Sequence, residues 1–308
     1  MKYKKLGKSE IMISEITHGC MELGGGQWDV MEDEYNIGLL DLALENGIST
    51  FDTAEGYGKG HSEEIVGQAL AGRREKCVIA TKVSKEHLMP ADIRRAIEGS
   101  LKRLNTSYVD LYYIHWPNDA IPIEKTIGEF NKLKNEGLIR AIGVSNFSLK
   151  QLKEAMKFGI IDALQPEYNL LQRDIESDLL PFCLENSISV LSYNSIAKGI
   201  LSGAFHLSGS VLKASDFRNT KPLFQPENLE KERPLILLLD KIARQKNATI
   251  AQVAISWQLH QKGLSSAIVG TQNKKHFVEN IQSEGIDLTS AELNAISSQS
   301  RQVIASLS

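Results

Sequence analysis

Residues 77–115 read CVIATKVSKEHLMPADIRRAIEGSLKRLNTSYVDLYYIH and contain a strand, a helix and a second strand. The runs 77–83 and 109–115 each predict a buried strand, because their branched and aromatic residues fit a pleated sheet. Residues 91–104 predict an amphipathic helix whose apolar side chains recur at helical spacing. These side chains are Ile93, Ile97, Leu101 and Leu104. A strand, a crossover helix and a further strand form the unit from which parallel sheets are built.

The same alternation of a short strand and a longer helix runs through the chain. Eight strands are predicted, over residues 15–19, 48–53, 77–83, 109–115, 141–145, 163–167, 189–193 and 267–270. Helical patterns lie between them, for example over residues 34–46. Ser148 and Gln151 have the spacing of a capping box that opens a helix, and Gly159 is its predicted end. Thr249 is predicted to start another helix.

Eight strands that alternate with helices, without a break in composition, predict a closed (β/α)8 barrel, the TIM barrel. The length of 308 residues suits one such barrel, so residues 1–308 are predicted to form a single domain. The alternative is an open doubly wound sheet, which usually has a GxGxxG turn after its first strand. Residues 19–23 read GCMEL instead. A loose glycine repeat at Gly56, Gly58 and Gly60 is interpreted as a flexible loop, not a phosphate-binding turn.

One connection is much longer than the others. More than fifty residues separate Tyr193 from Thr249, and they include three glycines and three prolines. Long connections in compact domains are usually lids or binding loops. This one is therefore expected to fold over the C-terminal mouth of the barrel.

The composition limits the possible partners. The chain is 42% hydrophobic and 24% charged with a net charge of -3, which argues against nucleic-acid or membrane-surface binding because both need a basic excess. No apolar run approaches the roughly 20 residues of a membrane span, and no signal-peptide core follows the N-terminus. Cys20, Cys77 and Cys183 match neither a disulfide framework nor a metal knuckle. These features predict a soluble cytoplasmic protein.

Polar residues stand where several predicted strands end. Asp52, Lys82 and His115 end three consecutive strands, and the C-terminal ends of barrel strands form the mouth where such folds carry out chemistry. Each has an ordinary alternative: an aspartate can cap a turn, a lysine can extend into solvent, and a histidine can belong to the core. Tyr57 could be a surface aromatic. The presence of all four residues at one mouth is stronger evidence for an active site than any one of them alone. A buried lysine needs a partner of opposite charge, and Asp52 supplies one.

This set of side chains has a chemical meaning. A lysine beside a tyrosine favours the phenolate, so Lys82 is expected to lower the pKa of Tyr57 from its usual value of about 10 and make it a general acid near neutral pH. Asp52 would hold Lys82, and His115 could donate a hydrogen bond to a carbonyl oxygen. No nucleophile, metal-ligand cluster or carboxylate pair accompanies them. A proton donor without these groups suits hydride transfer from a nicotinamide cofactor.

These residues lie in stretches that resemble the signatures of the aldo-keto reductase superfamily. The stretches are residues 51–58 (FDTAEGYG) with 61–63 (HSE), residues 110–117 (DLYYIHWP) and residues 142–147 (IGVSNF). The resemblance covers nearly the whole chain and is nearest in form to bacterial NADPH-linked members found near sugar and polyol metabolism genes. It implies a TIM barrel and an NAD(P)H-dependent oxidoreductase that reduces aldehydes or ketones to alcohols.

The resemblance implies catalytic roles for four residues. Tyr57 would be the general acid, and Lys82 would lower its pKa. Asp52 would anchor Lys82, and His115 would orient the substrate carbonyl.

The resemblance also implies a cofactor site. Ser145, Asn146 and Gln165 match positions that hydrogen-bond the nicotinamide carboxamide. Tyr193 matches the aromatic residue on which the nicotinamide ring stacks. Two positions, Gly199 and Leu201, lie in the loop that would embrace the pyrophosphate. The remaining cofactor-binding positions follow the eighth strand and are Gly270, Gln272, His276, Glu279 and Asn280.

Two departures from the family pattern bear on the cofactor. Residues 193–196 read YNSI where the family often has YSPL, and the loss of that proline loosens the turn. Residues 270–272 read GTQ where related members often have Gly-x-Arg. An arginine at this position would pair with the 2′-phosphate of NADP. In this chain Lys274, Lys275 or His276 could supply the positive charge of the missing arginine. NADP(H) is therefore the expected cofactor, with NAD(H) as the alternative.

Trp28 and Trp116 lie in loops at the predicted mouth, where they would line an apolar wall of the substrate site or serve as partly exposed packing residues. The expected substrate is a small carbonyl compound or alcohol, and the sequence leaves the oligomeric state open. Two other functions are considered. One is a cofactor-binding regulatory subunit with little turnover. The other is a Schiff-base enzyme with Lys82 as nucleophile, which the charge favoured by Asp52 opposes.

Overall fold

A short hairpin and an eight-stranded barrel form the framework of the protein. The computed structural model describes residues 1–25 and 28–307. The hairpin strands are β1 (Tyr3–Lys5) and β2 (Met12–Ser14). The barrel strands are β3 (Ile16–Gly19), β4 (Thr50–Asp52), β5 (Val78–Val83), β6 (Val109–Ile114), β7 (Ile139–Ser145), β8 (Ala163–Gln165), β9 (Ser189–Ser192) and β10 (Leu264–Val269). All neighbours pair in parallel, and β10 pairs with both β9 and β3, which closes the ring. The predicted (β/α)8 barrel is confirmed.

Helices occupy the connections and surround the barrel. Within the described residues they are α1 (Asp33–Glu45), α2 (His61–Ala69), α3 (Pro90–Arg103), α4 (Ile123–Asn135), α5 (Leu149–Ala155), α6 (Leu179–Glu185), α7 (Ala204–Leu207), α8 (Pro226–Lys246), α9 (Ile250–Leu259), α10 (Lys274–Ile281) and α11 (Ser290–Leu307). None of these helices is long and apolar enough to cross a membrane.

Local hydrogen bonds explain where α5 begins, but its end differs from the prediction. Ser148 Oγ accepts a hydrogen bond from Gln151 N at 3.3 Å, and Gln151 Oε1 accepts one from Ser148 N at 3.0 Å, as expected for a capping box. The predicted end at Gly159 is wrong, because α5 ends four residues earlier. Gly159 lies against α4, where a Cβ would come within 2.7 Å of Ile127. The glycine permits this close approach instead of ending the helix.

The N-terminal hairpin closes the amino end of the barrel, and the sequence pattern does not predict it. Leu6, Ile11 and Ile13 are buried against the apolar side chains that point inward from the barrel strands. Gly7 has φ 54°, and a Cβ on it would lie 2.2 Å from the carbonyl oxygen of Asp162 beside β8. Only glycine fits this turn. Residues 3–5 read YKK, which lacks the apolar pattern by which the barrel strands are recognised in the sequence.

Large aromatic side chains hold the helices on the barrel. Tyr112 points outward from β6 and stacks on Phe130 of α4 with 5.0 Å between ring centroids. Trp257 of α9 is fully buried, and its Nε1 donates to Ser297 Oγ of α11 at 2.9 Å. Burial of such side chains stabilises the fold by roughly 25 cal/mol per Å² of apolar surface.

The long connection after β9 is more helical than the sequence predicts, because both α7 and α8 lie in it. Its middle part contacts the segment after β3. Lys213 pairs with Asp29 at 3.2 Å, and the ring of Phe217 meets the edge of Trp28 at 5.3 Å. The connection therefore reaches past the end of β10 to the next loop. That it covers the whole mouth of the barrel stays a prediction.

A buried histidine makes the stability of the barrel depend on pH. His18 of β3 is fully buried between Phe51 and Phe277, and neither ring nitrogen has a hydrogen-bond partner. Burial lowers the pKa of His18 to about 4. The unfolded chain takes up this proton below about pH 6.5, whereas the folded protein takes it up only near pH 4. The contribution of His18 to stability is therefore present above pH 6.5 and is lost as the pH falls.

We expect His18→Leu to reduce the loss of unfolding free energy between pH 7 and pH 5 by about 2 kcal/mol, since the variant has no such proton to take up. Urea unfolding at the two pH values measures this loss. His276→Leu, at an exposed position, is the control and should behave as the wild type. An unchanged pH dependence in His18→Leu would contradict the assignment.

Candidate active site

Alternation along the barrel strands brings three ionisable side chains to one mouth. Successive residues of a strand point to opposite faces of the sheet. Ala80 of β5 and Tyr113 of β6 point into the barrel, so Lys82 and His115, each two residues further on, point the same way. Asp52 ends the neighbouring strand β4. The carboxyl ends of these three strands therefore place the predicted polar residues side by side.

The ammonium group of Lys82 has all three of its hydrogen bonds satisfied. Lys82 is fully buried, and its Nζ donates to Asp52 Oδ1 at 2.5 Å, to the Thr53 carbonyl oxygen at 2.8 Å and to the Tyr57 hydroxyl at 3.2 Å. The second carboxylate oxygen of Asp52 accepts a hydrogen bond from Gln165 Nε2 at 2.7 Å. Because both partners of the ion pair are fully hydrogen-bonded, the cost of burying them is offset.

The glycines around Tyr57, interpreted from the sequence as a flexible loop, lie in a closely packed turn. Residues 57–60 bend sharply, because Gly58 and Lys59 both have φ 57°. A Cβ on Gly58 would lie 2.2 Å from the Gly24 carbonyl oxygen, and a Cβ on Gly60 would lie 2.5 Å from the Arg103 side chain. The glycines are needed because backbone and side chains from other elements approach here. The result is a fixed position for the Tyr57 ring.

Burial and charge act in opposite directions on Tyr57. Burial raises the pKa of its phenol, Lys82 lowers it, and the net pKa lies above the usual value. The prediction of a net lowering is therefore wrong for the free protein, because burial outweighs the lysine. Burial also lowers the pKa of Lys82, but Asp52 and Tyr57 together raise it above its usual value. At neutral pH the site therefore holds a protonated phenol beside a charged ammonium group.

His115 is neutral at physiological pH. Burial and the nearby charge of Lys82 lower the pKa of its imidazole to about 3. Its ring meets the Tyr57 ring edge to face, with 5.7 Å between centroids. A neutral imidazole has one N–H donor and one acceptor nitrogen. His115 can thus donate a hydrogen bond beside Tyr57 without adding a charge.

Asp52, Lys82 and His115 form one polar wall of the mouth. A second polar wall lies at the ends of β7, β8 and β9, and it contains the four residues predicted for nicotinamide binding. Ser145 Oγ donates to the Gln165 carbonyl oxygen at 2.8 Å. Asn146 Nδ2 donates to the His115 carbonyl oxygen at 3.0 Å, and Tyr193 OH donates to Asn146 Oδ1 at 2.9 Å. Gln165 also contacts Asp52, so the two walls are continuous.

The backbone after Tyr193 is bent in an unusual way. Asn194, Ala197, Lys198 and Gly199 all have positive φ, between 48° and 103°. Such conformations are costly for residues with a Cβ and cluster at functional sites. Arg218 Nη1 donates to the Lys198 carbonyl oxygen at 3.0 Å. The predicted loop positions Gly199 and the buried Leu201 lie in this bent segment.

The cofactor positions predicted after the eighth strand lie in the loop after β10 and on α10. Gly270 and Gln272 follow β10, but Gln272 Nε2 donates to the Asp29 carbonyl oxygen at 2.5 Å. Its side chain ties two loops together and does not point freely into the mouth. Lys274 of α10 lies 4.7 Å from the centroid of the Tyr35 ring.

Further along α10, the remaining predicted positions are spread from the surface to the core. His276 is exposed, Glu279 is 3.8 Å from Lys275, and Asn280 is buried. Asn280 is therefore placed in the packed side of the helix.

The two predicted substrate residues differ in their surroundings. Trp116 is 46% exposed beside His115. Trp28 packs against Phe217 and lies 5.6 Å from the Arg218 guanidinium, so it belongs to the contact between two loops. Trp116 remains available to a substrate.

Sequence reasoning missed Glu22, in the turn after β3. A Cβ on Gly270 would lie 2.3 Å from Glu22 Oε2, so the carboxyl group packs directly on that glycine. Burial raises the pKa of Glu22 to about 7. The signal available in the sequence was an acidic residue three positions after the end of β3, the first strand of the barrel. Within residues 1–25 and 28–307, no group of His, Cys, Asp and Glu could hold a metal ion.

Comparisons with known proteins agree with this arrangement. A model of the Aldo/keto reductase family matches residues 15–301. Aldo-keto reductase YhdN of Bacillus subtilis is 35% identical over 283 residues, which cover 88% of this chain and 85% of that protein.

Solved structures give the same result. The glycerol dehydrogenase of Gluconobacter oxydans superposes with a TM-score of 0.90 at 32% identity, over 98% of this chain and 96% of that one. An aldo/keto reductase of Klebsiella pneumoniae in complex with NADP and acetate superposes with a TM-score of 0.76 at 30% identity, over 95% and 94%. The signature stretches, the barrel and the polar mouth are thus explained together: the chain belongs to the aldo/keto reductase family.

Proposed function

We propose that this enzyme reduces the carbonyl group of a small aldehyde or ketone to an alcohol with NADP(H), and that Tyr57 is its general acid. The observation that carries the proposal is the Tyr57 hydroxyl, 3.2 Å from a buried ammonium group that is itself held by Asp52 and Thr53. A protonated phenol beside a fixed positive charge can release its proton without leaving an unstabilised anion.

The polar wall and the bent loop fit a nicotinamide dinucleotide. Asn146, Ser145 and Gln165 would hold the carboxamide, and the Tyr193 ring would support the nicotinamide. The positive-φ backbone around Gly199 resembles the concave turns that bind anions, and Lys198 adds a cation, which suits a pyrophosphate. The nearby Arg218 is paired with Asp216 at 2.7 Å.

Other residues would hold the far half of the cofactor. Leu201 would lie along the pyrophosphate, and Gly270, Glu279 and Asn280 would lie near the adenine. Gln272 is occupied by Asp29, so the 2′-phosphate of NADP(H) would pair with a cation of α10. The candidates are Lys274, Lys275 and His276. The NADP bound to the Klebsiella pneumoniae relative supports this choice of cofactor.

Each residue of the mouth then has one task. When bound, the reduced cofactor supplies a hydride to the carbonyl carbon. His115 donates a hydrogen bond to the carbonyl oxygen, and Tyr57 gives that oxygen its proton. Lys82 stabilises the phenolate left on Tyr57, and Asp52 holds Lys82 in place. Trp116 would form an apolar side of the substrate site.

The observations disfavour the other functions. Lys82 is protonated because Asp52 and Tyr57 raise its pKa despite burial, and an ammonium group cannot form a Schiff base. A subunit that only bound a cofactor would need no buried ammonium group beside a phenol. We further propose a single domain over residues 1–308 and a cytoplasmic location. The free thiols of Cys20, Cys77 and Cys183 support a reducing compartment.

We expect Tyr57→Phe to lower turnover by at least about a hundredfold and to change the Kd for NADPH less than about twofold, because only the proton donor is lost. Turnover with a panel of aldehydes and cofactor fluorescence measure the two effects. Tyr108→Phe, beside the amino end of β6, removes a phenol remote from the mouth and should match the wild type. Normal turnover in Tyr57→Phe would disprove the mechanism.

A second pair of variants separates stability from catalysis. Lys82→Met leaves Asp52 buried without its cation and should cost roughly 3–5 kcal/mol of unfolding free energy. The double variant Lys82→Met/Asp52→Leu removes both charges and should recover most of that stability, as urea unfolding would report. Turnover should stay low in both, because the phenolate of Tyr57 has lost its stabilising charge. Recovery of turnover together with stability would show that Lys82 has only a structural role.

A further inference from the structure

The bent segment after β9, residues 194–199, is held from two sides. Three of its residues carry a Cβ and still have φ between 48° and 60°, and such a conformation is costly unless the surroundings fix it. On the barrel side, Asn169 Nδ2 donates to the Asn194 carbonyl oxygen at 3.0 Å. On the outer side, Arg218 Nη1 donates to the Lys198 carbonyl oxygen at 3.0 Å. The far end of the bent segment is thus held by a side chain twenty residues further along the chain.

The guanidinium group of Arg218 is oriented by a carboxylate of its own turn. Its Nε and Nη2 donate to the two oxygens of Asp216 at 3.0 and 2.7 Å, and Asp216 Oδ1 also accepts a hydrogen bond from the Arg218 backbone N at 2.9 Å. Nη1 is then left for the Lys198 carbonyl oxygen. Because the donors of a guanidinium group have fixed directions, one side chain can serve both partners.

Three aromatic rings surround the same guanidinium group. The ring centroids of Trp28, Phe205 and Phe224 lie 5.6, 5.8 and 5.7 Å from its central carbon. Aromatic faces attract a cation, and the attraction grows when the cation has lost water. Trp28 lies in the loop after β3, Phe205 belongs to α7, and Phe224 lies just before α8. Arg218 therefore joins the bent segment to three other parts of the structure.

The charge of Arg218 is balanced within the protein. The Arg218 and Asp216 side chains are only 20% and 17% exposed, so their ion pair is largely shielded from water. An anion that approached the bent segment would meet this neutral pair and not a free cation. The geometry therefore favours a role for Arg218 in shaping the segment over direct contact with a phosphate group.

We propose that Arg218 is a positioning residue for the dinucleotide: through the Lys198 carbonyl group it keeps the bent segment in the conformation that binds the cofactor. The inference rests on the proposed function, because it needs a dinucleotide at this segment. A segment that adopts its binding conformation for only part of the time binds more weakly in proportion to that fraction. Tyr57 and Lys82 lie on other elements, so the chemical step itself should not depend on Arg218.

Two substitutions separate positioning from charge. Arg218→Lys keeps the positive charge but cannot bind Asp216 and the Lys198 carbonyl group together, so we expect the Kd for NADPH to rise about tenfold. Asp216→Asn removes a negative charge but releases the guanidinium group, and the Kd should still rise, about threefold. Cofactor fluorescence measures both. Arg244→Lys, at an exposed arginine of α8 that pairs with Asp240, is the control and should match the wild type.

Two further measurements distinguish positioning from a general structural role. Hydrogen exchange of the free protein, followed by mass spectrometry, should be about tenfold faster over residues 194–203 in Arg218→Lys than in the wild type. The rate of hydride transfer in a single turnover at saturating NADPH should stay within about twofold of the wild type, because the loss is confined to cofactor binding.

Several results would overturn the inference. An unchanged Kd in Arg218→Lys, with a wild type that binds NADPH, would refute it and leave the proposed function intact. A lower Kd in Asp216→Asn would mean that Arg218 contacts the phosphates directly, because an unpaired arginine attracts an anion more strongly. Faster exchange throughout the chain, or no change over residues 194–203, would show that Arg218 does not act through this segment. No binding of NADPH by the wild type would refute the proposed function itself.

Discussion

The buried ion pair between Lys82 and Asp52 is the constraint around which the mouth is built. An ammonium group without solvent is tolerated only when every donor is satisfied and the opposite charge is close. Here the donors reach a carboxylate, a backbone carbonyl and a phenol. The remaining carboxylate oxygen is satisfied by Gln165 of β8, from across the barrel. The complete set of hydrogen bonds around the pair therefore needs strands from opposite sides of the barrel.

The charge of Lys82 also acts on the pKa values of the two side chains beside it, Tyr57 and His115. Burial raises the pKa of Tyr57, with Lys82 acting against it, and burial together with Lys82 lowers the pKa of His115. The mouth therefore contains two neutral hydrogen-bond donors around one permanent positive charge. That combination is suited to stabilising a negative charge on an oxygen atom and to supplying a proton to it.

The two ends of the barrel have different tasks. At the amino end, the hairpin seals the barrel with apolar side chains, and Gly7 N donates to Ser189 Oγ at 2.8 Å. At the carboxyl end, loops from β3, β9 and β10 are tied to each other by Gln272, Asp29 and Lys213. The amino end is thus closed by apolar packing, whereas the loops around the mouth are linked by polar contacts and by the ring contact of Trp28 with Phe217.

The sequence by itself predicted the barrel and the four polar residues that the structure brings together at its mouth. Strand and helix periodicity is local, and Asp52, Lys82 and His115 each stand at a strand end that the pattern reveals. The tertiary structure alone decided the hairpin, the packed glycine turn around Tyr57, the contacts of Gln272 and the position of Glu22. It also decided the net pKa of Tyr57. These properties depend on burial and on partners far away in the chain, and a linear pattern contains neither the distance between such residues nor the solvent that folding removes.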